Sequence, residues 1–252
     1  MTFRISRRLL PASSALLTLL CWSRMTSAQI PDKFTNLKIL PKTIVKEDLV
    51  STMRQFSIGL GVRCNYCHAQ SDSAKGKGLD FASDAKKEKG TARGMMKMVE
   101  RINNKLVPKT GVKSPVKVQC VTCHHGVETP ETLTDLLKRV IRKDGIEAAQ
   151  QKYKELRGKY YGSGAYDFGP GSLTALAEWL ARERKDVDGA IEIMRFSIDR
   201  DPMVADSYNS LGTFQTLKGD KAAALESFNH ALELDPDNRR AQDQLKALQS
   251  GQ

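Results

Sequence analysis

Cysteine and histidine are scarce in this chain of 252 residues, which holds five of the first and four of the second. All the cysteines except Cys21 fall in two short motifs, leaving room for at most two disulfide bridges. Long apolar runs are missing too. The run from Leu9 to Trp22 contains Pro11 and falls short of the ~20 residues that a membrane-spanning helix needs. Arg4, Arg7 and Arg8 precede it, and Thr26, Ser27 and Ala28 follow as small residues. That is the layout of a secretory signal peptide over residues 1–28, cut before Gln29. Leu20 stands where lipid attachment at Cys21 requires a small residue, so no lipid anchor is expected. The mature chain is expected to be exported, to the periplasm, the outer face of the inner membrane or the extracellular space. A composition 40% hydrophobic and 27% charged fits one or two soluble globular domains.

The motifs are GVRCNYCHAQ, from residue 61, and VQCVTCHHG, from residue 118. Each places two cysteines three residues apart and a histidine directly after the second. Export favours disulfides, and two Cys-x-x-Cys pairs can also build a zinc cage. Neither arrangement requires a histidine at that point. The 52 residues between Cys67 and Cys120 also exceed the ~15–20 of a zinc ribbon. Covalent haem c does require it. Two thiols reach the two vinyl groups of one porphyrin, and the adjacent imidazole swings under the iron. Two covalently attached haem c groups are therefore expected, through Cys64 and Cys67 with His68 as iron ligand, and through Cys120 and Cys123 with His124.

A helical stretch precedes each motif. Leu49, Met53, Phe56 and Leu60 form an apolar stripe ahead of the first. Gly59 and Gly61 are then expected to let the chain turn closely around a bulky group. Asp84 is expected to cap the second stretch, whose stripe is Met95, Met98, Val99, Ile102 and Leu106, with Met96 beside it. Lys109 to Val118 reads as a loop returning to Cys120. On spacing alone Met53 serves equally as core filler or as a sulfur ligand, whereas the methionines of the second stretch are more often core than ligand. The order is helix, loop, attachment unit, twice.

The run FTNLKILPKTIVKEDLVSTMRQFSIGLGVRCNYCHA, continued by DFASDAKKEKGTARGMMKMVERINNKL and CVTCHHG, resembles the cytochrome c subunit of photosynthetic reaction centres. The resemblance covers about residues 31–126 and two of that family's four haem segments. It implies a methionine of the preceding helix as the second axial ligand, which matches Met53 for the first unit and Met98 for the second. A histidine from elsewhere can replace the methionine at the family's last segment. Met95, Met96 or His125 of another chain are the alternatives at the second haem. The chain departs from the family in having two haem units, no lipid-anchoring cysteine and a different C-terminal extension, which puts a role beside a photosystem in doubt.

That extension has its own period. At a spacing of 34 residues, Asp186, Ala190, Ile191, Ile198, Asp201 and Pro202 match Asp220, Ala224, Leu225, Leu232, Asp235 and Pro236. Tyr208, Leu211, Gly212, Gly219, Phe228 and Ala231 complete a resemblance to the tetratricopeptide repeat. Helices over about 131–142 and 145–157 are expected to extend the stack, with DNRRAQDQLKALQ as a polar cap and His230 as a solvated helix residue. The expected fold is all-α, a dihaem c-type cytochrome module followed by a helical-hairpin (tetratricopeptide) solenoid. Its divisions are a haem domain at 29–126, a helical connector at 127–170 with a glycine-rich link from 158, and the repeats at 171–252.

Charge divides the chain in the same place. Residues 29–126 carry 18 Lys and Arg against 8 Asp and Glu, net +10; residues 127–252 carry 18 against 21, net −3. Haem propionates offset part of the basic excess. The remainder suits an acidic redox partner or peripheral contact with a membrane surface, while export argues against nucleic acid. The expected function is electron transfer between redox partners, with the repeats docking a protein partner or a second copy. No catalytic residues are assigned. The competing readings are a dihaem peroxidase-like enzyme, which needs an open iron position and acid-base residues beside it, and an assembly module with structural haems.

Overall fold

The computed structural model describes residues 30–71 and 78–250. The signal peptide expected over residues 1–28 lies outside the described residues. Helix α1 (Lys46–Leu60) starts with Glu47 and Asp48 in its first turn, where carboxylates complement the helix dipole. It stops at Gly61, in the left-handed region at φ 66°, whose N–H returns to the Ile58 carbonyl while that of Val62 returns to Ser57. The single helical turn α2 (Cys64–Cys67) follows. Strands β1 (Ala69–Gln70) and β2 (Leu79–Asp80) then pair antiparallel, Ala69 opposite Asp80 and Gln70 opposite Leu79.

Helix α3 (Lys87–Arg101) runs into a π-helical turn, Ile102–Leu106, and a 3-10 turn, Val107–Thr110. Asp84 does not cap it. The extended residue before α3 is Lys86, which makes no side-chain cap, and the Asp84 carboxylate is drawn instead to Asn36, Lys38 and Arg93. A short helix, α4 (Cys120–His124), carries the second motif.

The remaining helices form antiparallel hairpins: α5 (Leu133–Asp144) with α6 (Ile146–Tyr160), α7 (Pro170–Glu183) with α8 (Val187–Arg200), and α9 (Ala205–Lys218) with α10 (Lys221–Leu234), closed by α11 (Arg239–Gln249). Helices α5 and α6 lie where the sequence leads one to expect them. Side-chain caps recur at the starts: Thr132 accepts from Asp135 N–H, Asp186 from Gly189, Asp220 from Ala223 and Asn238 from Ala241. Asp186 and Asp220 are the 34-residue repeat made visible as equivalent caps.

One buried cluster extends from Leu133 through Tyr153, Leu176 and Met194 to Phe214. The segment after α6 contributes to it, since the Phe168 ring meets Tyr153 edge-on at 5.6 Å. A second cluster joins Ala224, Phe228 and Ala231 to Ala241 and Leu245. Gly212 explains how closely α9 and α10 approach: a Cβ there would lie 2.7 Å from the Phe228 ring. His230 is half-exposed, its ring 4.2 Å from that of Tyr208 and its Nδ1 3.0 Å from Glu233. Among the described residues, no helix is long and apolar enough to cross a membrane.

Candidate functional site

Residues 30–132 contain both Cys-x-x-Cys-His units and very little core. Leu49 and Val127 are their buried large hydrophobics, whereas Ile58, Met95, Met98, Leu106, Val112, Val116 and Val121 are exposed, Ile58 at 71%.

Each cysteine pair occupies one helical turn, so its two thiols three residues apart lie on one face. All four thiols are free, Cys64 and Cys123 exposed and Cys67 and Cys120 half-buried. Burial pushes the Cys67 and Cys120 thiols up. Among the described residues, no group of three or more His, Cys, Asp or Glu side chains is placed to hold a metal ion.

The two histidines differ in their surroundings. His124 Nδ1 lies 2.9 Å from the Val127 carbonyl, which fixes the proton on Nδ1 and leaves Nε2 as the free ligand atom. His68 has a buried Nδ1 without a hydrogen-bond partner, and its ring stands edge-on to Phe81 at 5.0 Å. Burial lowers its basicity, as does the Lys89 ammonium, while the Phe81 carbonyl acts in the opposite sense. Lys89 holds that wall in place by donating to the carbonyls of Phe81, Ala82 and Ser83 at 2.7–3.2 Å.

The helices pair with the units crosswise. The end of α1 packs on α4, and Gly126 N–H donates to the Gly59 carbonyl at 2.9 Å. A Cβ on Gly61 would fall 2.0 Å from the Gly126 oxygen, and one on Gly59 would fall 3.0 Å from Val121 N. These glycines thus admit the backbone of the second unit. Helix α2 in turn packs against α3. Tyr66, between the first two cysteines, donates to Glu128 just past the second unit, and that bond pushes its phenol up to about 12.

Met53 on α1 is half-buried, as is Met96 on α3, while Met95 and Met98 are exposed, Met98 at 47%. His125 is exposed and left-handed, at φ 48°, where α4 ends. Asn103 was invisible to motif reasoning. Its amide clamps Val118, donating to the carbonyl at 2.9 Å and accepting from the N–H at 2.8 Å, and so fastens the end of α3 two residues before Cys120.

The fold and the site define a helical protein with two thiol-thiol-imidazole turns and a hairpin stack. The family model for the photosynthetic reaction centre cytochrome C subunit matches residues 26–161, more than half of the chain, and the chain belongs to that family. No curated protein matches it significantly. Similar solved structures include the first TPR of Spaghetti (RPAP3) bound to an HSP90 peptide, at 17% identity, TM-score 0.33, and covering 47% of this chain and 89% of that one. The first TPR domain of human RPAP3 has the same identity and TM-score over 47% and 87%. A Thermobaculum terrenum O-GlcNAc transferase reaches 23% identity and TM-score 0.31 over 46% of this chain and 21% of its own.

Proposed function

We propose that this chain is an exported c-type cytochrome that carries electrons through two covalently attached haem groups, while its hairpin stack docks a protein partner. The observation carrying this reading is the pairing of two free thiols on one helical turn with a directly following imidazole, twice, in a segment that leaves its apolar side chains outside. Membership of the family supports haem c as the cofactor. The residues fit that group, because thiols on one face, an imidazole with a free Nε2 at the second unit, and apolar neighbours are what tethering and covering a porphyrin require.

Bound haem supplies reversible one-electron exchange between ferric and ferrous iron. The chain's residues do the rest. Cys64 with Cys67, and Cys120 with Cys123, hold the two groups, and His68 and His124 present ring nitrogens to the irons. Val127 orients His124 through its carbonyl, whereas Lys89 and Phe81 form the wall beside His68. Met53, for the first unit, and Met98, for the second, would be the second ligands. The excess of +10 over residues 29–126 supports docking to an acidic redox partner, in the periplasm or at a membrane surface.

A redox titration with spectra of both haems tests the reading. Two low-spin, acid-acetone-resistant haems are expected, with intact mass showing two additions to the mature chain. Met53→His is expected to lower one potential, because thioether favours ferrous iron more than imidazole does. Haem lost to acid acetone overturns covalent attachment. A five-coordinate reduced haem that binds carbon monoxide stoichiometrically replaces the carrier with the enzyme.

A further inference from the structure

A depression of about 420 Å³ opens between the C-terminal ends of α6 and α8, lined by Tyr153, Lys154, Arg157, Gly158, Tyr161 and Arg200. Three of the six are cations. Arg157 and Arg200 stand in the last turns of their helices, where the dipole favours positive charge, but Lys154 lies a turn earlier. Among the described residues, none of the three makes a hydrogen bond to an anion. Arg157 Nη2 stays 3.6 Å from Asp201, and its Nε is buried without a partner. Lys154 and Arg200 rest over the Phe196 ring at 5.7 and 5.1 Å. Asp201 cancels one charge, leaving the notch at net +2 inside a region, residues 127–252, whose net charge is −3. A local concentration of cations against the prevailing sign is what an anion-recognising site requires.

The walls add specificity. Tyr161 is 68% exposed and its ring lies flat enough for the Arg157 guanidinium to sit 4.8 Å from its centroid. Gly158 leaves the floor without a side chain. A carboxylate entering here meets a forked guanidinium already held by an aromatic ring, and the methylenes or backbone beside it meet the Tyr161 face. We infer that this notch, on the face formed by the second helices of two successive hairpins, receives an acidic Asp- or Glu-bearing segment of a partner protein. The inference rests on the docking reading of the stack and names the partner's chemistry; it is independent of haem.

The test is binding of a fluorescent hexaglutamate peptide to the full haem-loaded chain at low ionic strength, followed by anisotropy, with inorganic phosphate as competitor. The double variant R157Q/R200Q is expected to weaken binding about tenfold or more, the scale of losing charge-assisted contacts. K246Q, which removes one cation from α11, is expected to change it less than twofold, about what one distant exposed charge contributes. Should the double variant fold poorly by circular dichroism, K154Q and Y161A, both at exposed positions, replace it and are each expected to weaken binding about threefold. Equal effects of K246Q and the notch variants overturn the notch while leaving docking through the stack intact. Absence of any peptide binding, or displacement by phosphate as effective as by unlabelled peptide, overturns the acidic-segment assignment.

Discussion

Residues 133–250 bury their apolar side chains against one another, with Leu176, Met194 and Phe228 wholly inaccessible, whereas residues 30–132 turn Ile58, Val112 and Val116 outward. Polar side chains do different work in the two regions. In the stack they cap helices at Thr132, Asp186, Asp220 and Asn238; in the N-terminal segment they fix loops, through Lys89 on three carbonyls, Asn103 on Val118 and Asp84 among Asn36, Lys38 and Arg93. The comparison teaches that these two regions are ordered by different interactions: the stack by side-chain packing, the N-terminal segment by polar clamps between its loops.

Replacing Cys64, Cys67, Cys120 and Cys123 by alanine is the strongest test of that contrast. Hydrogen exchange is expected to show α1 and α3 losing protection while α7 to α10 keep theirs. Retention of protection in both regions would break the comparison. Phe228→Ala probes the other side. It empties a fully buried ring position between α9 and α10 and is expected to cost about 3–5 kcal/mol in the stack, measured by chemical denaturation. Covalent haem content is expected to stay unchanged.

Gly61→Ala sharpens the crosswise pairing. Left-handed backbone costs a non-glycine residue about 1–2 kcal/mol, and the new methyl meets the Gly126 oxygen. The absorption and potential of the haem at Cys120 and Cys123 are expected to shift, with a smaller change at the first haem. An effect confined to the first haem would show that α1 serves only the unit it precedes. The smallest effect belongs to Asp84→Asn. Lys38, with Arg93, Asn36 and Lys89, holds this carboxyl well below the ordinary carboxylate range, so its contribution is present above the unfolded value of about 4 and fades as pH falls towards the folded one. Wild type is therefore expected to be slightly more stable than the variant at pH 7, the gap closing in acid. A gap that widens in acid would reverse the sign and remove Asp84 from the clamp.

Much was legible in the linear chain because it depends on neighbours within a turn or two. Cys-x-x-Cys-His is a local arrangement, and a helical turn brings its thiols together wherever the turn sits. Asp186 and Asp220 recur at the 34-residue period and cap equivalent helices, and the resemblance to the tetratricopeptide repeat singles out Gly212 and Phe228, whose contact lets α9 and α10 close. Helices α5 and α6 exist where expected, though each starts one or two residues later and ends two or three residues later than the sequence suggested.

The path of the chain between such elements is another matter. Asp84 has the residue type of a cap, yet cations from residues 38, 89 and 93 compete for its carboxylate and win by number. Gly59 and Gly61 declare that something approaches closely, but only the fold shows that it is residues 120–126. The cations of the notch lie on two helices more than forty residues apart. By itself the sequence determined the chemistry available at each turn and the helices that carry it, because those are set by local sterics and hydrogen bonding. Tertiary structure alone decided which helix end lies on which attachment turn and which charges share a pocket, because such contacts depend on where the whole chain can close its loops and bury its surface.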